Sequence, residues 1–272
     1  MLLSAIMLAG GCAKSPDTQS PAGETGGAAA GGTGGIDNNA GTGGNVFVGS
    51  GGARVMKDPS AYPQTAPANH PFPQGHAWAR CTLPAFNTDT VAAAYNNWKM
   101  KFFQGGRVVR PESNNDSVSE GIAYGMLMGA YMNDRPLFDV LWTFAQSKRD
   151  GNGFMNWHID ANGNTINPGG GATDADEDMA WALLMAQGQW GGSYLSAATT
   201  LIESIWSHEV DQSGSVLKPG GNFGGANQTN PSYFAPSYYR VFAKVTPSHN
   251  WMAVVDSSYA ILAKASGTRG LV

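Results

Sequence analysis

Apolar residues recur every three or four positions from residue 84 onward, which is the period of an α-helix and not that of a β-strand. Seven such segments follow one another along the chain. They begin near residues 87, 117, 133, 174, 193, 233 and 248. Only short extended pieces are predicted, near 107–110 and 154–160. The sequence therefore predicts an all-α domain.

Several connections between the predicted helices are long and rich in Gly, Asn and Pro. Helices of a compact bundle are joined by short loops, so these connections argue against a simple bundle. Long loops on a helical scaffold are where a substrate cleft is usually built. We therefore expect a cleft formed by the loops of this domain.

The first 53 residues have a different composition. Thirteen of the 37 glycines lie in residues 23–52, and such a segment cannot bury enough apolar surface to offset its ordering entropy. A disordered linker is therefore predicted for 13–53. Residues 1–12 are a short apolar run that ends in Cys12, which is typical of a bacterial lipoprotein signal with Cys12 as the lipidated residue. An ordinary secretory signal with a chance cysteine is the alternative, and either interpretation predicts export.

The charge balance and the cysteine count exclude several classes of protein. Sixteen Lys and Arg stand against 20 Asp and Glu, whereas nucleic-acid binding calls for a basic stripe. Two cysteines are too few for a disulfide-dense scaffold or a Cys-rich zinc site. No run reaches the roughly 18 apolar residues of a membrane span, so a lipid anchor is the only membrane contact that we expect.

Metal sites fit the sequence poorly. The five histidines are scattered and lack the HExxH spacing. Asp174-x-Asp176-x-Asp178 and Asp160-x-Asn162-x-Asn164 begin like calcium loops, but neither has Gly at loop position 6 or Glu at position 12. No metal and no cofactor is therefore predicted.

Two groups of carboxylates lie where helices are predicted to begin. Ser117-Val118-Ser119-Glu120 has the form of a capping box, and four acids, Asp174, Asp176, Glu177 and Asp178, precede an almost wholly apolar helix. One interpretation is structural, because such side chains accept hydrogen bonds from the free N–H groups of a helix start. The other is catalytic, because crowded acids must pair or shift their pKa. Spacing alone favours the structural interpretation.

Aromatic residues in loops and at helix edges supply a second signal. Trp157, Phe223 and Tyr233 are of this kind. Exposed aromatic rings stack on sugars, and two carboxylates can cleave a glycosidic bond, one protonating the leaving oxygen while the other activates water or attacks. Ordinary core packing is the alternative explanation for each of the three rings.

Four short segments together resemble glycoside hydrolase family 8, which comprises bacterial endoglucanases, xylanases and chitosanases. They occur in the family's order and span about 107–262. The segments are Ser119-Glu120-Gly121-Ile122-Ala123-Tyr124-Gly125-Met126, Met155-Asn156-Trp157, Ala172-Thr173-Asp174-Ala175-Asp176 and Asn230-Pro231-Ser232-Tyr233-Phe234-Ala235-Pro236. The resemblance implies an (α/α)6 barrel, six inner helices ringed by six outer ones, with the cleft at one end.

The resemblance also implies hydrolysis of internal β-1,4-glycosidic bonds with inversion, cellulose-type β-glucan being the expected polysaccharide partner of a monomeric enzyme. Glu120 would be the general acid, and Asp174 would hold and help distort the sugar at the cleavage point. Trp157, Phe223 and Tyr233 would line the sugar subsites. A tryptophan is more usual at the position of Phe223, so xylanase and chitosanase specificity stay open.

Two departures from the family pattern concern the C-terminal part. The Asp-Ala-x-Arg segment that commonly supplies the general base does not occur between Tyr233 and Val272, where Asp256 is the only carboxylate and lies in a helical context. Seven helices are also fewer than twelve. The sequence is therefore interpreted as a C-terminally truncated catalytic domain over 54–272 that hydrolyses glycan poorly or not at all. A non-catalytic glycan-binding surface lipoprotein and a purely structural helical domain are the rival interpretations.

The predicted position of Glu120 raises one physical difficulty. A proton donor needs a raised pKa, whereas the third position of a helix favours the charged carboxylate. Burial and the charge of Asp174 would have to outweigh the helix dipole. The catalytic hypothesis therefore requires Glu120 and Asp174 to lie close together across the cleft.

Overall fold

Seven α-helices make up most of the residues that the structure describes, and the sequence predicts the same number. The computed structural model describes residues 47–48, 55–56, 88–166, 170–222, 224–268 and 270. The helices are α1 (Thr88–Phe102), α2 (Ser119–Tyr131), α3 (Arg135–Ser147), α4 (Thr173–Trp190), α5 (Tyr194–His208), α6 (Pro236–Val245) and α7 (Trp251–Ser266). The predicted signal with Cys12, most of the predicted linker, and Phe223 lie outside the described residues.

Short antiparallel strand pairs occur between these helices. The pairs are β1 (Phe47–Val48) with β2 (Val55–Met56), β3 (Phe103–Gln104) with β4 (Arg107–Val108), β5 (Ser117–Val118) with β6 (His158–Ile159), and β7 (Val210–Asp211) with β8 (Val216–Leu217). β4 and β6 are the extended pieces that the sequence predicts. β1 lies within the segment 13–53 that the sequence predicts as a linker.

Two helix starts differ from the prediction. α2 begins at Ser119 and not at Ser117, because Ser117 and Val118 pair with β6. α6 begins at Pro236 and not near 233, because Pro231–Tyr233 form a separate 3-10 helix. The predicted start of α3 is confirmed, since the side chain of Asp134 accepts a hydrogen bond from the N–H of Leu137.

The core is formed where α2 packs against α3 and α4, and where α4 packs in turn against α5. Ile122, Met126, Leu141, Met179 and Leu183 are at most 1% exposed at this centre. Burying a side chain of this size contributes roughly 1.5–3 kcal/mol. Helices α2 and α4 are therefore packed firmly side by side.

Gly125 explains how closely α2 approaches α3. A Cβ at this position would lie 2.5 Å from Cδ1 of Leu141 and 3.0 Å from Cγ2 of Val108. Glycine is required there for packing and not for an unusual backbone conformation. Within the ranges that the structure describes, no helix combines the length and the apolar character that a membrane crossing needs.

Candidate active site

The segment around Trp157 links the starts of α2 and α4. The N–H of Ser119, the first residue of α2, donates to the carbonyl oxygen of Trp157 at 2.9 Å. The N–H of Trp157 donates to the carbonyl of Gly170 at 3.2 Å, three residues before α4 begins. These backbone bonds bring the carboxylates at the two helix starts to the same end of the molecule.

The capping-box interpretation of Glu120 is wrong. The hydroxyl of Ser117 donates to the carbonyl oxygen of Val108 at 2.6 Å and accepts from Arg107 at 2.9 Å. Both of its hydrogen bonds are therefore made with β4, and none is made with the start of α2. Val118 occupies the N-cap position of α2, and no side chain makes a capping hydrogen bond there. Glu120 is consequently the second residue of α2, with a half-buried side chain.

Asp174 lies within electrostatic range of Glu120. Burial, and then the negative charge of Glu120, raise the pKa of Asp174 to about 6, against two opposing backbone hydrogen bonds. One oxygen of the Asp174 carboxylate is buried and accepts no hydrogen bond from the residues described. An unsatisfied buried acceptor is costly, so this oxygen is suited to a donor supplied by a ligand.

Two tyrosines border this pair of acids. Tyr124 lies one turn after Glu120, and burial, followed by the charges of the nearby acids, raises its pKa to about 12. Burial and the charges of Asp174 and Glu120 likewise raise the pKa of Tyr233. Tyr233 was predicted as a site residue, whereas Tyr124 was not singled out. Its i, i+4 spacing from Glu120 is the signal that could have found it.

The partly exposed surface continues one turn along α4. The hydroxyl of Tyr238 donates to Oδ1 of Asp178 at 3.1 Å, and its ring stacks on Trp181 with centroids 4.6 Å apart. Burial raises the pKa of Asp178 to about 7, and the hydroxyl of Tyr238 counteracts part of this increase. We call the half-exposed residues Glu120, Tyr124, Asp174 and Asp178 the open face of α2 and α4.

The sequence model of glycosyl hydrolases family 8 matches residues 70–272. This chain belongs to glycosyl hydrolase family 8. Endoglucanase A of Acetivibrio thermocellus is 44% identical over 189 residues, which are 64% of this chain and 40% of that protein. Endoglucanase 2 of Ruminiclostridium josui is 38% identical over 220 residues, covering 76% of this chain and 48% of that protein. The chain therefore spans less than half the length of these two relatives.

A solved relative supports the fold. The β-1,3-1,4-glucanase of Paenibacillus sp. X4 superposes with a TM-score of 0.59 at 31% identity, over 64% of this chain and 51% of that one. Family 8 structures are (α/α)6 barrels, and the predicted fold class is thereby confirmed. The described residues contribute seven helices to this family 8 fold.

The remaining acids of the family 8 segment at α4 face the interior. Asp176 and Glu177 are 0% and 1% exposed, so the four acids that are neighbours in sequence do not form one cluster. Asp176 interacts with Glu209, which is also 0% exposed, and burial raises the pKa of Asp176 strongly and that of Glu209 to about 8. With both groups ionised neither would offer a donor, and their oxygens accept no hydrogen bond from the residues described, so a proton on one of them is needed to join the pair.

Three other predicted positions can be described as follows. Trp157 is 37% exposed and stacks on His158 with ring centroids 4.7 Å apart. The loop that leads to Phe223 passes the start of α4, since the carbonyl of Pro219 accepts from the N–H of Thr173 at 3.3 Å. Asp256 is exposed within α7, in the helical context that the sequence predicts. Across the described residues, no three His, Cys, Asp or Glu side chains converge as a metal site would require.

Proposed function

We propose that this chain hydrolyses internal β-1,4 bonds of a β-glucan, with the open face of α2 and α4 as the reactive part of its site. One observation carries the proposal. Glu120 and Asp174, at the starts of adjacent helices, interact electrostatically while both stay partly open to solvent. The names of the two endoglucanase relatives support the substrate class.

Glu120 is the proposed proton donor to the leaving glycosidic oxygen. Its backbone is fixed by the bond from the N–H of Ser119 to the carbonyl of Trp157, so the carboxyl group is presented at a defined place at the start of α2. General acid catalysis by a positioned carboxyl typically contributes about 10²–10⁴-fold. A fixed donor is what such a step requires.

Asp174 is the proposed holder of the sugar at the cleavage point. Its unsatisfied oxygen can accept a hydrogen bond from a sugar hydroxyl, and this bond would become stronger when the carboxyl group is ionised. The pKa of about 6 places the change from neutral to charged carboxyl in the weakly acidic range. Sugar binding is therefore expected to strengthen as the pH rises through 6.

An inverting mechanism also needs a base that activates water on the other side of the sugar, about 6.5–9.5 Å from the acid. The family segment that commonly provides it was not found between Tyr233 and Val272. A viscosity assay on a long soluble glucan suits slow cleavage, because one internal cut shortens a chain greatly.

The test combines cleavage with binding. The full chain is incubated with carboxymethyl-cellulose, mixed-linkage β-glucan, xylan and chitosan, while viscosity, reducing ends and the anomer of the first product are followed. Viscosity that falls faster than reducing ends accumulate, with the α-anomer released first from a β-glucan, supports the proposal. Binding without any cleavage supports the non-catalytic glycan-binding alternative. Absence of both for every glycan contradicts the proposal.

The export signal, the linker and the lipid anchor belong to the same proposal. Residues 1–12 would direct export, Cys12 would carry the lipid, and 13–53 would tether the domain 54–272 to the cell surface as a monomer. Labelling with a fatty-acid analogue in a bacterial host should mark the unaltered chain and leave Cys12→Ala unlabelled. Equal labelling of both contradicts the lipid anchor.

A further inference from the structure

Trp157 carries a large exposed ring that needs support to act as a platform. It is 37% exposed and lies in the loop before β6. Its ring stacks on that of His158 at 4.7 Å with an angle of 30° between the planes. A mobile tryptophan would lose rotamer freedom on binding a sugar, so a ring that is held beforehand binds more tightly.

A series of polar contacts fixes the orientation of the His158 ring. Nε2 of His158 lies 2.8 Å from Oδ2 of Asp116. Arg110 donates to both oxygens of the same carboxylate, from Nε at 2.8 Å and from Nη2 at 2.6 Å. A two-point contact between a guanidinium and a carboxylate fixes orientation as well as distance. The orientation of the His158 ring is thereby tied to that of Arg110.

The backbone restrains the same residues. Arg110 and Asp116 face each other in an isolated β-bridge, and His158 is paired with Val118 in the β5–β6 ladder. The bond to Asp116 is the main cause that raises the pKa of Arg110, and the charge of Glu120 adds to it. Arg110, which holds Asp116, therefore also lies within electrostatic range of Glu120.

We propose that Arg110, Asp116 and His158 are positioning residues that hold the Trp157 ring as a fixed sugar platform beside Glu120. The inference rests on the proposed function, because it assumes that a β-glucan lies on this ring. It assigns no proton transfer and no substrate contact to Arg110 or Asp116. Their contribution is the orientation of His158, and through it that of Trp157.

A second group of a tryptophan, a histidine and a carboxylate serves as the control. His249 stacks on Trp206 with centroids 4.6 Å apart, and its Nε2 lies 2.6 Å from Oε2 of Glu203. This second Trp–His–carboxylate group joins α5 to the start of α7. Breaking it tests for a general loss of stability, because it removes the same contacts from a place that the proposal does not assign to sugar binding.

The experiment measures the affinity of the full chain for cellohexaose by calorimetric titration, with melting temperatures recorded for every variant. His158→Ala and Asp116→Asn are expected to weaken binding about tenfold, the factor that corresponds to 1.4 kcal/mol. His158→Phe keeps a stacking ring without the bond to Asp116, and it should also weaken binding. His249→Ala should leave the affinity unchanged.

A double-mutant comparison separates positioning from structural damage. On a Trp157→Ala background, Asp116→Asn should cause no additional loss of affinity, because the ring that it positions is absent. Cellohexaose binding by His158→Ala and His158→Phe equal to that of the unaltered chain overturns this inference and leaves the proposed function standing. An unaltered chain that neither binds nor cleaves any β-glycan overturns both.

Discussion

Asp174 and Asp176 are two residues apart on α4, yet they meet opposite surroundings. Successive helical residues are rotated by about 100°, so these two side chains project to nearly opposite sides. Asp174 is half-exposed beside Glu120, whereas Asp176 is fully buried against Glu209. Two aspartates in the same turn of α4 thus differ in role: Asp174 belongs to the candidate active site, whereas Asp176 is part of the buried interior.

The next turn of α4 repeats the division. Asp178 accepts from the hydroxyl of Tyr238 near the open face, and Glu177 is buried with Tyr239. Adjacent tyrosines of α6 therefore contact adjacent acids of α4 on different sides. A raised pKa alone does not distinguish a functional carboxyl group from a structural one. Solvent access makes the distinction, because the buried Asp176 also has a second acid nearby and oxygens without a hydrogen bond from the residues described.

The largest effect is expected on the open side. Glu120→Gln removes the proposed proton donor while keeping the shape of the side chain. We expect cleavage of β-glucan to fall by about 10²–10⁴-fold, the usual contribution of a general acid. The affinity for cellohexaose should change little, because Gln can still make hydrogen bonds. Viscosity assays and calorimetric titration measure the two quantities.

Glu112→Gln is the matched control for that variant. Glu112 is an exposed acid on the 3-10 helix Pro111–Ser113, and it interacts with Arg110 as Glu120 does. Its variant should retain full activity. A Glu120→Gln protein that loses binding as strongly as cleavage would instead assign Glu120 to holding the sugar.

On the interior side, the largest effect is expected from a single methyl group. A Cβ at Gly171 would overlap Oδ2 of Asp176 and lie 2.7 Å from Cβ of Phe154. Overpacking of this kind costs about 1–3 kcal/mol, so Gly171→Ala should lower the free energy of unfolding by that amount. Gly188→Ala within α4 is the control. It meets nothing within 4 Å and should gain about 0.5–1 kcal/mol.

Urea denaturation of both glycine variants measures these changes. If the two variants are equally stable, the region around Asp176 can relax to accept a methyl group. The buried surroundings of Asp176 would then not be rigid. Activity of Gly171→Ala, measured well below its melting temperature, shows in addition whether a shift of Asp176 reaches Asp174 on the other side of the helix.

The buried pair should make the protein less stable as the pH rises. The pKa of Glu209 is about 8 in the folded protein against an ordinary 4.5, and that of Asp176 is also raised. The folded state therefore binds more protons than the unfolded state across this range, so the stabilisation is complete below about pH 4 and is lost up to about pH 8. We expect the melting temperature to fall steadily from pH 5 to pH 9.

Glu209→Gln tests whether the interior pair causes this fall. The amide cannot ionise and can still donate to Asp176, so the melting temperature should depend less on pH in this variant. Asp174→Asn, on the open side, should flatten the curve less. If Asp174→Asn reduces the pH dependence of the melting temperature more than Glu209→Gln does, the titration that dominates stability lies on the open face and not in the interior.

The sequence predicted the elements of the fold better than the partners within the site. Helical periodicity located the seven helices of the described residues, and the cap at Asp134 indicated the start of α3, because both are local signals. Ser117 was misassigned because a Ser-x-x-Glu pattern does not reveal that its serine pairs with β6. Glu209 was missed because only the packing of α5 against α4 brings it to Asp176. The four acids of 174–178 are close in sequence and suggest one cluster, but helix geometry directs their side chains to different sides of α4.

The smallest expected effect measures the link between the two acids of the open face directly. The pKa of Asp174 is about 6, first because of burial and second because of the charge of Glu120. Glu120→Gln removes only the second cause, so the pKa should fall by about one unit or less and stay above its ordinary value. Carboxyl carbon NMR titration of Asp174 measures it, and Glu112→Gln should leave it unchanged. An identical Asp174 titration in Glu120→Gln would mean that the two acids do not sense each other, and Asp174 would then resemble Asp176 as an acid perturbed by burial alone.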